Sequence, residues 1–72
     1  MKIPTSKDVI ALRHRYGLTQ AEAADHWLTS LRTVQNWEAT EGTPNHRAVH
    51  PLMWWAMNYK LKLDFAKKKG TK

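Results

Sequence analysis

Cysteine is absent from this 72-residue chain, which excludes a disulfide framework and a thiolate metal staple. Long apolar runs are missing as well. The longest, Leu52 to Met57, falls far short of the ~20 residues that a bilayer-spanning helix needs. Met1-Lys2-Ile3-Pro4 has no apolar leader core, so a cytoplasmic protein is expected. No internal repeat is visible. Acidic side chains are scarce: six Asp and Glu stand against twelve Lys and Arg, for a net charge of +6. A basic excess of this size in a small chain favours a polyanionic partner, and nucleic acid is the default. Much of the excess sits at the end, where six lysines and one aspartate follow from position 60 onward.

A single domain this short buries only about 60 to 65% of its unfolded surface. Four tryptophans and a partner subunit would have to supply the missing burial, so a homodimer is expected. Residues 1–66 read as that domain, and 67–72 as a basic, disordered tail.

The residues themselves point to an all-α fold with helices at about 6–16, 20–28, 31–39 and 48–66. Thr5 or Ser6 caps the first, whose apolar face is Val9, Ile10, Leu12 and Tyr16, and Gly17 supplies a left-handed stop. Lys7, His14 and Arg15 make its outer side basic. Thr19 and Glu22 form a capping box, so a second helix opens at Gln20. Ser30 is an N-cap candidate for a third helix after only a short turn. Pro51 suits the first turn of the fourth, where Leu52, Trp55, Ala56 and Tyr59 recur at core-facing spacing. Met53, Met57, Leu61 and Phe65 form a second stripe, with Trp54 beside it. That is more apolar surface than a monomer should expose, so these five residues are the expected dimer interface. A short strand over 59–65, pairing across a two-fold axis, is the competing reading of YKLKLDF.

The segment Leu18 to Glu38, LTQAEAADHWLTSLRTVQNWE, carries the functional signal. Ala23 and Ala24 are small enough for a crossing helix to approach, and Val34 and Trp37 form the inward stripe of the third helix. Leu31, Arg32, Gln35 and Asn36 then face outward. Arg, Gln and Asn are the residues whose paired hydrogen bonds tell bases apart in the major groove. An ordinary helical hairpin with a polar outer face is the plainer alternative.

Leu18-Thr19-Gln20, Ala24, Ser30, Thr33-Val34 and Trp37-Glu38 resemble the Cro/lambda-repressor-like (XRE) helix-turn-helix family of phage and bacterial transcription regulators, over about residues 5–58. The resemblance implies a small four- to five-helix domain and a sequence-specific regulator of double-stranded DNA in a bacterial or phage-infected cell. It implies base reading by Leu31, Arg32 and Asn36, with Gln35 as a further reader. Phosphate contacts would come from Thr19, Gln20, Ser30 and Thr33, and by position from the loop residues Asn45, His46 and Arg47. Gln20 would also brace the reading helix, and Arg13 would pair with Glu38. The size suits a small phage autorepressor, including the anti-CRISPR-associated kind. There are two departures. Leu28 holds a turn position usually occupied by Gly, which costs about 1–2 kcal/mol if left-handed, and a reshaped turn would shift the reading face by one position. Leu31 replaces a residue that is often polar, and would pack on a thymine methyl or in the core.

The expected mechanism is a dimeric repressor that occupies an inverted repeat at a promoter, including its own, with reading helices roughly 34 Å apart. No enzyme is expected, since no nucleophile–base–acid pattern has a plausible setting. No cofactor or small-molecule ligand is expected either. His46 and His50 have the i, i+4 spacing of metal ligands, but no third ligand accompanies them, so no metal is expected. An antitoxin-type module that grips a protein through Met53, Trp54 and Met57, and also binds DNA, is the alternative.

Overall fold

The computed structural model describes the backbone of residues 3–70 and the side chains of residues 3–66. It is all-α: α1 (Ser6–Arg15), α2 (Gln20–His26), α3 (Leu31–Glu38) and α4 (Pro51–Gly70). None of these helices is long and apolar enough to cross a membrane.

Local chemistry sets each start. Thr5 caps α1 through a reciprocal box with Asp8: the Asp8 amide donates to Thr5 Oγ1 at 3.2 Å and the Thr5 amide to Asp8 Oδ2 at 2.9 Å. Thr19 and Glu22 repeat the arrangement at α2, at 3.1 and 2.9 Å. Each box satisfies amides that a helix start leaves without intrahelical partners. Pro51 is the first residue of α4, where its missing N–H costs nothing. His50 caps that helix: its Nδ1 accepts from the Leu52 amide at 3.0 Å and its carbonyl from the Trp54 amide at 2.9 Å.

The ends of α1 and α2 share one design. After α1, the amides of Gly17 and Leu18 return to the carbonyls of His14 and Arg13. After α2, the amides of Leu28 and Thr29 return to Asp25 and Ala24. This is the paired closure of a Schellman turn, which needs a left-handed residue just past the helix. Gly17 (φ 67°) fills that place in the first and Leu28 (φ 56°) in the second. So α2 stops at His26, two residues earlier than the sequence suggested, with Trp27 and Leu28 forming the turn.

Val9 and Leu12 of α1, Ala23 and Ala24 of α2 and Val34 and Trp37 of α3 meet in one core. Trp27 and Val49 complete it, and Met57 and Leu61 of α4 close it from the other side. The last two overturn an expectation. Met57 and Leu61 are 1% and 0% exposed within a single chain, so neither can belong to a dimer interface. Met53, Trp54 and Phe65 are half-buried against the same core, with the Phe65 ring 4.8 Å from that of Tyr16. The stripe expected to face inward lies outside instead: Leu52 is 66% exposed, Trp55 60% and Tyr59 50%. Because α4 is apolar on both sides, periodicity could not fix its rotation. Asp64 does so. It shares the Leu61 side of the helix and reaches His26 Nδ1 on α2 at 2.6 Å.

Residues 59–65 are helical, which rules out the strand reading. α4 continues to Gly70, so the tail expected over 67–72 begins inside the helix; residues 71 and 72 lie outside the described residues.

Candidate nucleic-acid interface

α3 is fixed on one side and open on the other. Ser30 starts it, its Oγ accepting the Thr33 amide at 3.1 Å and lying 2.9 Å from Thr33 Oγ1. Val34 and Trp37 anchor the inner side, and the Trp37 ring lies 6.2 Å from that of Trp27.

The far end of α3 is held by charge. Glu38 receives two hydrogen bonds from the Arg13 guanidinium, from Nε at 2.7 Å and Nη2 at 2.9 Å, and a third from Gln20 Nε2 at 3.0 Å. Arg13 Nη1 also donates to the Leu18 carbonyl at 3.0 Å. The ion-paired side chains are only 13% and 5% exposed. A fork of this kind fixes both distance and direction, which a single-point lysine contact would not. Its hydrogen bonds to Glu38 push the Arg13 pKa above its ordinary value against the opposing effect of burial. One carboxylate thus ties α1, the start of α2 and the end of α3 together. The expected Arg13–Glu38 pair is present, as is the expected bracing by Gln20.

Leu31, Arg32 and Gln35 are exposed on the opposite side. Asn36 is half-buried, and its carbonyl accepts the Arg47 amide at 3.0 Å, tethering the following loop. The side chains of Arg32, Gln35 and Asn36 make no intramolecular hydrogen bond among the described residues. Their donors and acceptors remain available to a partner.

The residues expected at phosphates fall into two groups. Ser30 and Thr33 lie at the start of α3, while Thr19, Gln20 and the loop residues Asn45 to Arg47 gather near its end through the Gln20–Glu38 and Arg47–Asn36 bonds. Several already have intramolecular duties. Thr19 Oγ1 accepts within its cap, and one Gln20 amide hydrogen goes to Glu38. Arg47 Nη1 donates to the carbonyls of Pro44 and His46. His46 Nδ1 lies 3.1 Å from the Ala39 carbonyl. Only a ring N–H can satisfy that oxygen, so a neutral His46 presents Nε2 as an acceptor, and donation to a phosphate requires the protonated ring. Asn45 is exposed. His46 and His50 do not stack as metal ligands on a helix, because residues 46–50 are not helical and His50 Nδ1 is used by the α4 cap.

Sequence reasoning missed a second charged cluster. Asp64 accepts from Lys60 Nζ at 2.6 Å and contacts His26 Nδ1 at the same distance. Hydrogen bonds from Lys60, then His26, hold its carboxyl below the usual carboxylate range. The i, i+4 spacing of Lys60 and Asp64 was a readable signal. Nothing in the sequence announced a residue 38 positions away.

Comparison with family models, with curated proteins and with solved structures finds no match for this chain.

Proposed function

We propose that this chain is a sequence-specific binder of double-stranded DNA, with α2 and α3 acting as a helix-turn-helix of the Cro/lambda-repressor-like (XRE) kind. The observation that carries the reading is the contrast across α3. One side is locked by Val34, Trp37 and the Arg13–Glu38 fork, while the other presents Arg32 and Gln35 with their hydrogen-bonding groups uncommitted. A rigid helix with such a face suits the major groove, about 12 Å wide, and eight residues span roughly 12 Å along the axis. Arg32, Gln35 and Asn36 read base edges, with Leu31 placed for a thymine methyl. Ser30 and Thr33 at one end, and Gln20, Asn45 and Arg47 at the other, are positioned to contact flanking phosphates. Such contacts set register and supply salt-dependent affinity without carrying sequence information.

In this proposal two copies read an inverted repeat and repress transcription by occupying a promoter, the gene's own included. Footprinting on DNA upstream of the gene tests it: protection of an inverted repeat with half-sites about one helical turn apart is expected. Uniform protection, or none, contradicts it.

A further inference from the structure

We infer that a second copy of this chain docks on the face formed by Leu28, Leu52, Trp55 and Tyr59, the side of α4 opposite the one sequence reasoning chose.

Four observations converge there. The first is area. Leu28 is 82% exposed, Leu52 66%, Trp55 60%, Tyr59 50% and Leu63 46%. With aromatic side chains offering 150–250 Å² each, this amounts to about 600 Å² of apolar side chain per copy, against about 800 Å² per partner in a standard interface. The second is shape. A groove of about 340 Å³ runs between the end of α2 and α4, and Trp55 stands between it and a further apolar hollow beside Pro51 and Leu52. Trp55 and Tyr59 stack with ring centroids 5.2 Å apart and planes within 9°. Trp55 is a wall shared by both depressions, so each copy related by a two-fold axis offers an aromatic ring and apolar hollows to the other.

The third observation is charge. A chain of net charge +6 resists self-association wherever its cations face each other. At this groove the bordering Lys60 is paired with Asp64 at 2.6 Å. Lys62, exposed and three residues beyond Tyr59, stands at the edge of the face towards Tyr16 and Phe65, so a single cation per copy borders it there. The fourth is strain. Leu28 holds a left-handed conformation, at φ 56°, that disfavours any L side chain, and it exposes most of an apolar one. A glycine would serve the turn with less strain. Burial against a second copy gives that leucine a use that the isolated chain does not.

The assignment names the subunit contact of the proposed dimeric DNA binder, but its evidence is independent of DNA, and so is its test. Sedimentation velocity of the full chain across a wide concentration range, without DNA, reads the monomer–dimer equilibrium. The wild type is expected to dimerise. Trp55→Glu and Leu28→Gly are each expected to raise the dissociation constant at least about tenfold, as loss of a central interface anchor does. Leu28→Gly separates the interface from folding, because its monomer should melt no lower than the wild type. A wild type that stays monomeric throughout overturns the assignment, as does a dimer that tolerates both substitutions. A monomer that still prefers one duplex sequence would leave the DNA reading standing while this assignment falls.

Discussion

The turns that end α1 and α2 have the same hydrogen bonds and left-handed geometry, yet Gly17 makes one and Leu28 the other. An ideal Cβ on Gly17 would meet nothing within 4 Å, so crowding does not require glycine there; the positive φ favours it. The Leu28 turn has the same backbone need and meets it with a worse residue. The two turns are also braced unequally. Arg13, part-buried and held by Glu38, donates to the Leu18 carbonyl and clamps the first turn. His26, at the end of α2, meets Asp64 with side chains 30% and 23% exposed. The first turn is therefore built for stability. The second tolerates strain and displays an apolar side chain beside α4.

This contrast can be broken most severely at Glu38. Glu38→Ala leaves the Arg13 guanidinium part-buried without its partner, a change that costs about 3–5 kcal/mol when an ion pair is buried. Denaturant unfolding should show a loss approaching that range, large against the stability of a small domain. Exchanging the turn residues comes next. Gly17→Leu should destabilise by about 1–2 kcal/mol, since it places a side chain at a left-handed position. Leu28→Gly should have the opposite sign in the monomer. The relief of similar strain is reduced by about 0.5–1 kcal/mol of glycine chain entropy, for a net gain of about 0–1.5 kcal/mol. If both substitutions destabilised equally, the comparison of the two turns would fail.

The weaker brace gives the smallest effect. Asp64→Asn should cost less than about 1 kcal/mol, as half-exposed ion pairs do. Its pH dependence follows from the direction of the shift. Folding lowers the Asp64 pKa, so the carboxylate's contribution is fully present above its unfolded value, about 3.9. It fades as pH falls through the lower folded value. Wild type and Asp64→Asn should therefore differ in melting temperature at neutral pH and converge in acid. A constant difference down to low pH would mean that the ionised carboxylate is not the stabilising group.

How much could be read beforehand depended on whether the chemistry was local. The caps at Thr19 and Ser30 and the stop at Gly17 are each set by residues within a turn of one another and were legible. The cap of α1 was narrowed only to Thr5 or Ser6, and the left-handed Leu28 was one of two outcomes that the family resemblance left open, in a helix expected to run two residues further. The inward pair Val34 and Trp37 was legible too, because α3 is apolar on one side only. The rotation of α4 was not legible. With Met57 and Leu61 on one side and Trp55 and Tyr59 on the other, both faces satisfied the helical period, and long-range contacts distinguished them, Asp64 on His26 and Phe65 on Tyr16 among them. The contact of His46 with the Ala39 carbonyl and that of the Arg47 amide with Asn36 were hidden because they depend on how the chain between α3 and α4 folds back. The cap made by His50 and the Arg47 bonds to Pro44 and His46, by contrast, are local and were simply not read. The exposed face of α3 was legible at Arg32 and Gln35, which follow from the period once Val34 and Trp37 are placed inside, whereas Asn36, expected beside them, is half-buried where the following loop returns to its carbonyl.

Selection from a random duplex library, run in parallel with the wild type and Arg32→Ala, tests the central claim most directly. The wild type should enrich an inverted repeat. Arg32→Ala should relax preference at one base pair per half-site at a cost of about 1–3 kcal/mol, while stability changes by no more than about 0.5 kcal/mol, as at an ordinary surface position. Failure of the wild type to enrich any sequence, or identical profiles for the two proteins, would contradict the assignment of the exposed side of α3 to base reading.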